Sequence, residues 1–374
     1  HGVLRIALEL DGETVVSAHP DTGYLHSGFE KQGENIRYKD FVPYTDRMDY
    51  TAAMCNNLGY CLAIEKLVGV EIPMRAQAIR VVVAELQRLA AHLVWLATHV
   101  LDTSGTGMSL LMYALREREL ILDVFEMICG ARMTTSYVRI GGMARDLPEG
   151  WLARLEEVLQ FTEQYLERIH GMLDRNRIFI GRTRDVAVMN TEHALNWGYT
   201  GPILRSTGLA MDLRKDSPYL AYSELDFDVP VGIKGDNYDR YLVRLEEIRQ
   251  SVKIIRQVIR DIPDGPVNID DYRIILPPKD DVYNSIEGMI AHFELIMKGI
   301  QVPPGEAYYA VEGGNGEVGF YAVSDGSGYP YRLHVRPPCF ALMQGLRDMT
   351  IGGLLADIIP TFDTINMIGG EIDR

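Results

Sequence analysis

Residues 75–102 read RAQAIRVVVAELQRLAAHLVWLATHVLD, and their apolar spacing decides the fold. Ile79, Val83, Leu86, Ala90, Leu93, Ala97 and Val100 follow one another in steps of four and three. Such steps trace the heptad seam of a helix packed along its whole length. The pattern recurs twice. Leu152, Leu155, Leu159, Leu166, Ile169 and Leu173 form a second seam, with polar Thr162 at one seam position. Leu245, Ile248, Val252, Ile255, Ile259 and Ile262 form a third, which Pro263 and Asp264-Gly265-Pro266 are expected to end. Shorter helices are expected at 116–129 and 285–298. Long seams joined by ordinary loops predict a helical bundle.

Working outward, both ends change period. Leu4, Ile6, Leu8 and Leu10 alternate, Asp11-Gly12 supplies a turn, and Thr14-Val15-Val16 returns, which predicts a β-hairpin. Helical periodicity takes over from Tyr50. Near the other end, Val302-Pro303-Pro304-Gly305 breaks the chain before a strand at 318–323. A turn at 324–328 and a return strand at 331–335 follow, closed by Pro337-Pro338. No low-complexity linker or internal repeat divides the sequence. The expectation is one α+β domain over 1–374, predominantly α. It has a hairpin and loop at 1–40, a helical bundle at 41–300, and a C-terminal β and loop region at 301–374.

Composition narrows the function. A chain of 374 residues with 47% hydrophobic content can bury a substantial core. A net charge of -15 and a pI near 5.1 argue against a nucleic-acid surface, which needs clustered Lys and Arg. No uninterrupted apolar run reaches the ~18 residues of a bilayer span, and the start has no signal-peptide pattern. A soluble chain able to dock on a membrane partner is expected. Cys55, Cys61, Cys129 and Cys339 form no CxxC pair, so buried free thiols are expected rather than a self-held zinc or iron–sulfur site. No GxGxxG, GxxxxGK[ST], HExxH or GxSxG occurs, and Gly313-Gly314-Asn315-Gly316 reads as a plain turn. Asp226 and Asp228 fit ligands or paired acids, but the exposed carboxylates of an alternating strand are the commoner case. From these features alone, only a helical protein follows.

An ordered series of short stretches goes further. HGVLR at 1–5, GYLHSGFEK at 23–31, DRMDY at 46–50 and IEKL at 64–67 are followed by RERE at 116–119 and YVRIGG at 137–142. VSDG at 323–326 and GEIDR at 370–374 complete it. In this order they resemble the D/H-subunit family of NADH-quinone oxidoreductase, the quinone-site subunit of respiratory complex I, related to nickel–iron hydrogenase large subunits. The resemblance implies a hydrogenase-large-subunit-like helical bundle with small β elements at both ends. It implies the quinone-binding subunit of the peripheral arm, active only in the complex, helping to couple electron transfer to proton pumping. Its partners would be an iron–sulfur subunit with a [4Fe-4S] cluster, other peripheral-arm subunits and membrane-arm subunits, with ubiquinone or menaquinone as substrate and no nucleic acid. Its place would be peripheral, on the cytoplasmic side of the bacterial inner membrane. Hydrogenase relatives hold nickel with two CxxC pairs. Here no cysteine stands near His26 and none lies in 358–374, so no metal held by this chain is expected.

Carried over residue by residue, the family's quinone contacts fall on His1 and Tyr50. Two donors on opposite sides would fix a quinone's two carbonyl oxygens and stabilise charge developing on reduction. A free tyrosine has a pKa of about 10, too weak an acid for water but suited to a strongly basic reduced quinone. Asp102 falls where the family's carboxylate orients that histidine and favours its charged form. Arg47 matches an arginine beside the partner's cluster, where a fixed cation raises the potential.

The sequence also departs from the family. Thr134 replaces a cluster-proximal histidine, which implies a cluster of lower, nearly pH-independent potential. The run 103–109 differs from the usual Gly-Ala-x-Thr-Pro-Phe-Phe and is about two residues longer. Asn366 stands where counting back from Arg374 gives an Asp in relatives, with Asp363 placed to compensate through an insertion. A Gly-Pro-x-His-Pro segment normally precedes His1, so an incomplete start is expected. Two alternatives accompany this reading: a ferredoxin- or deazaflavin-driven relative reducing menaquinone or a phenazine, and a non-catalytic scaffold subunit.

Overall fold

Two helices, α1 (Ala53–Val68) and α2 (Met74–Thr103), form the centre of the protein. They come from a computed structural model that describes residues 3–105 and 107–374. The fold is 54% helical with 11% strand, α+β and predominantly α. All the seam residues predicted on α2 are buried. Burial does not stop at the seam, because Arg80, Glu85, Arg88, His92 and His99 are buried too. By length and composition α2 could cross a membrane, yet most of it is buried inside the protein. Here it serves as the core helix. On α1, every residue from Ala53 to Glu65 is buried, and Gly69 ends the helix at φ 79, a left-handed cap that glycine adopts without strain.

The helix α3 (Gly107–Cys129) folds back along α2 and starts well before the predicted 116. The run 103–109, which departs from the family's pattern, is therefore mostly helix among its described residues. Gly107 makes the reversal possible: a Cβ there would collide with the carbonyl oxygen of Val100 and the backbone of Leu101. The second seam is α4 (Trp151–Leu173). Its buried face includes Thr162, whose Oγ1 donates to the Val158 carbonyl at 2.9 Å, but Leu152 is exposed, contrary to expectation. The third is α5 (Asn237–Arg260), begun by an Asp236 cap that accepts from the Asp239 N–H at 2.8 Å. It ends before Ile262, so the last predicted seam residue lies outside it. A shorter helix, α6 (Ile286–Met297), is capped by Ser285 as its position predicts.

The N-terminal hairpin pairs β1 (Arg5–Asp11) with β2 (Thr14–Asp21), with Gly12 at φ 62 in the turn. A three-stranded antiparallel sheet follows α6: β3 (Gly305–Glu312), β4 (Glu317–Ser324) and β5 (Arg332–Arg336). The strand β3 was not expected, and Gly313–Gly316 is its turn into β4, closed by a 2.7 Å bond from the Gly313 N–H to the Gly316 carbonyl. Two further expectations are corrected. Asp226 and Asp228 lie on extended chain outside any strand, and Asp226 pairs with Lys253 at 2.9 Å. The C-terminal region is not loop: it carries α7 (Pro338–Gln344), α8 (Ile358–Ile365) and α9 (Gly369–Asp373). These helices are too short to stand alone and rest on tertiary packing. The four cysteines are free thiols, with Cys129 only half-buried.

At the heart of the bundle lies an ion network that joins α2, α5, β3 and the short helices between α4 and α5. Arg205 Nη2 meets Glu247 at 2.7 Å and its Nη1 meets Glu312 at 2.8 Å. Arg214 reaches Asp212 at 2.7 Å and Glu85 at 3.1 Å. Glu85 also accepts from Tyr222 and Ser251, both at 2.6 Å. Burial alone would raise Glu247 and Glu85, but arginines outweigh it and hold both below the usual carboxylate range.

Candidate functional site

The loop between residues 46 and 52 presents Tyr50, and its neighbours fix it. Asp49 Oδ1 accepts from the Thr51 N–H at 2.9 Å, the Thr51 hydroxyl at 2.7 Å and the Ala52 N–H at 3.1 Å, closing the start of α1. Asp46 accepts from Asn57 Nδ2 at 2.9 Å and from the Ser136 N–H at 3.0 Å. With both flanking carboxylates turned inward, Tyr50 is left 36% exposed. Burial first, then Asp49 and Cys339, raises its phenol above the ordinary value.

Tyr50 lines a cavity of about 250 Å³. Val3 closes one side, Val94 and Thr98 of α2 another, and Phe362, Asp363, Asn366 and Ile368 the third. The walls are mostly apolar with a few polar groups, the usual make-up of a small-molecule site. Its volume suits a single ring. His1 lies outside the described residues, although Val3, two residues on, forms part of the wall.

Asp102, exposed at the end of α2, does not line the cavity but stands beside Asp363, which does. The Asp363 carboxyl is pushed up to about 8, by burial first and then by Asp102. Its main-chain carbonyl accepts from Trp95 Nε1 at 2.8 Å. Asn366 ends α8 in the left-handed conformation at φ 54, and its amide donates to Asn315 at 2.6 Å. Of the two residues considered as replacements for the relatives' aspartate, Asp363 is thus the acid at the cavity and Asn366 a helix cap. Arg47 is 53% exposed, donates to the Pro43 carbonyl at 2.6 Å and lies 3.8 Å from Asp46. Thr134 is exposed, near Ser136.

Stretches far apart in sequence converge here. Asp373 accepts from the N–H groups of Gly23 and Leu25 at 2.8 and 2.7 Å, and Arg374 pairs with Glu30 at 3.1 Å. The closing GEIDR stretch is therefore locked onto GYLHSGFEK. Gly370 lets α9 rest on the Tyr50 loop, because a Cβ there would collide with the carbonyls of Arg47 and Met48. IEKL and YVRIGG meet likewise: Glu65 binds Arg80 at 2.7 Å and the Gly141 N–H at 2.8 Å.

Sequence reasoning missed Glu371. It is 1% exposed, and neither carboxyl oxygen meets a donor in hydrogen-bond geometry. Burial and then Asp49 push it up to about 8, although the thiol and amide of Cys339 lie close enough to favour the charged form. Its one sequence signal was a lone acid in the small, apolar stretch 367–372. Among the described residues, no group of three or more His, Cys, Asp or Glu is placed to hold a metal ion.

Comparison with known proteins agrees with the motif series. The family described as respiratory-chain NADH dehydrogenase, 49 Kd subunit, matches residues 105–374. The NADH-quinone oxidoreductase D subunit of Pelobacter propionicus is 54% identical over all 374 residues, which cover 92% of that relative. Its counterpart in Myxococcus xanthus is 51% identical, with 90% covered. A longer relative, the NADH-quinone oxidoreductase C/D subunit of Bdellovibrio bacteriovorus, is 50% identical over the whole chain and 66% covered. With a converging set of motifs and half its residues shared end to end with these relatives, the chain belongs to the D-subunit family of NADH-quinone oxidoreductase, respiratory complex I.

Proposed function

We propose that this chain forms the quinone-reduction chamber of complex I together with an iron–sulfur partner subunit, as one hydrogenase-large-subunit-like domain over 1–374. The observation that carries the reading is the ring-sized cavity beside Tyr50. A subunit kept only as scaffold would have no need of an apolar-walled space lined by Tyr50.

In this reading a quinone, ubiquinone or menaquinone, enters with one carbonyl toward Tyr50 and the other toward His1. Two electrons arrive one at a time from the partner's [4Fe-4S] cluster. Tyr50 gives one proton and His1 the second, so quinone, two electrons and two protons become quinol. A phenol whose pKa is raised holds its proton until the quinone oxygen has become strongly basic, which ties proton release to reduction. Asp102 would keep His1 oriented and favour its charged form. Arg47, half-exposed beside the Tyr50 loop, would face the partner's cluster and raise its potential. With Thr134 in place of a histidine, that potential would be lower and nearly independent of pH. Charge left in the chamber would start the signal to the membrane-arm subunits, from a peripheral position on the cytoplasmic side of the inner membrane.

Tyr50→Phe tests the proposal. In the assembled complex it should reduce quinone turnover by roughly a hundredfold or more while NADH still reduces the cluster. Unchanged quinone turnover would defeat the assignment.

A further inference from the structure

Asp363 and Asp102 meet carboxyl to carboxyl at the edge of the cavity. Asp363 is 6% exposed, and its buried Oδ2 meets no donor from any N–H or O–H group. Among the described residues, no Lys or Arg is bonded to the Asp363 carboxyl. Arg244 and Arg240 of α5 reach α8 at Thr364, the residue after Asp363. Their donors go to the Thr364 carbonyl at 2.6 Å and the Thr364 hydroxyl at 3.2 Å. The Trp95 indole is spent on the main chain of Asp363. Two adjacent carboxyls in such a place cannot both ionise cheaply, since burial and like charge act in the same direction. A proton between them supplies the missing donor.

We propose that Asp363 holds a proton against Asp102 and passes it across the cavity to restore Tyr50 after Tyr50 has protonated the reduced quinone. The proposal rests on the quinone-site reading. Three proton transfers complete the cycle, and no electron moves in it. The Tyr50 O–H bond breaks as an O–H bond forms on the quinone oxygen. The Asp363 O–H bond then breaks and that of Tyr50 re-forms. The two carboxylates face each other until a proton from water enters at exposed Asp102 and re-forms the acid. The direction is favourable, because Asp363 sits at about 8 while Tyr50 lies above the ordinary tyrosine value. Among the described residues, the titratable groups acting on this path are Asp102 on α2 and Tyr50 with Asp49 and Cys339 behind it. Asp363 is thus a positioning residue that acts through Tyr50.

The test uses the assembled complex, reading NADH-driven quinone reduction against pH, with NADH oxidation by an artificial acceptor as a control for assembly. Wild-type turnover should decline as pH rises through about 8, where Asp363 loses its proton. Asp363→Asn should slow quinone turnover on the order of tenfold, remove that alkaline limb and leave the artificial reaction intact. Asp363→Glu should restore the limb, and Asp102→Asn should move it to lower pH by removing the acceptor that holds the proton. An Asp363→Asn complex with wild-type rate and limb would overturn the proposal. So would an unmoved limb in Asp102→Asn, which also decides the matter if Asp363 variants fail to assemble. Tyr50→Phe run alongside separates the two failures: normal turnover there sinks the quinone reading itself, whereas its loss with an unaltered Asp363→Asn profile sinks only the relay.

Discussion

Two buried acid clusters in this protein are built from the same residue types and do opposite things. In the central network, Glu85, Asp212 and Glu247 each face an arginine at 3.1 Å or less and lie below the usual carboxylate range, whereas Glu312, which shares Arg205 with Glu247, is raised by burial. Beside the cavity, Asp363 faces Asp102, and Glu371 lies near Asp49; among the described residues no arginine is bonded to Asp363 or Glu371, and Arg336 lowers Glu371 less than burial and Asp49 raise it. Asp363 and Glu371 are buried like the network acids, while Asp102 is exposed. The partner decides the outcome: a guanidinium keeps a buried carboxylate charged and fixed, whereas another carboxyl leaves it holding a proton. The first arrangement fastens helices together. The second stores protons next to the place where the proposed reaction consumes them.

Breaking the comparison on its paired side should have the largest effect. Arg205→Met would leave Glu247 and Glu312 buried without their cation, and removal of one member of such a pair typically costs about 3–5 kcal/mol. The denaturation midpoint of the chain should fall accordingly. A midpoint within error of wild type would mean that the network contributes little to holding α5 against β3.

On the unpaired side the sign reverses. Glu371 keeps its proton in the folded protein up to about pH 8, while the unfolded chain releases it near the ordinary glutamate value. Between those values the folded state binds more protons, so stability falls as pH rises through the window. Glu371→Gln cannot ionise and should lose roughly 2–3 kcal/mol less than wild type between pH 5 and pH 8. Parallel stability profiles for the two proteins would show that Glu371 has a compensating partner.

The contrast also explains what was legible in the sequence. Long seams and the N-terminal hairpin could be read because one period runs through many residues, as on α2 and α5. β3 was missed because Pro303-Pro304-Gly305 looked like a break, whereas the strand begins on its last residue. The C-terminal helices were missed because each spans at most eight residues and owes its existence to packing. The ion network was hidden for a different reason. Glu85, Arg88 and His92 lie off the predicted seam, where an amphipathic helix meets water, but α2 is surrounded by the core and buries them. At the site, Tyr50 came from the motif series, Asp102 from the family resemblance, and Asp363 only from counting back along the C-terminal stretch. No spacing rule predicts that two carboxyls from α2 and α8 will meet.

The most direct test of the account is the number of carboxyl groups that hold protons at neutral pH. Infrared spectra of the assembled complex at pH 7 should show carboxylic-acid C=O absorption that is lost in Asp363→Asn and in Glu371→Gln, and no loss in Glu247→Gln. Absorption lost with Glu247, or unchanged in both Asp363→Asn and Glu371→Gln, would contradict the division between paired acids that fasten and unpaired acids that carry protons.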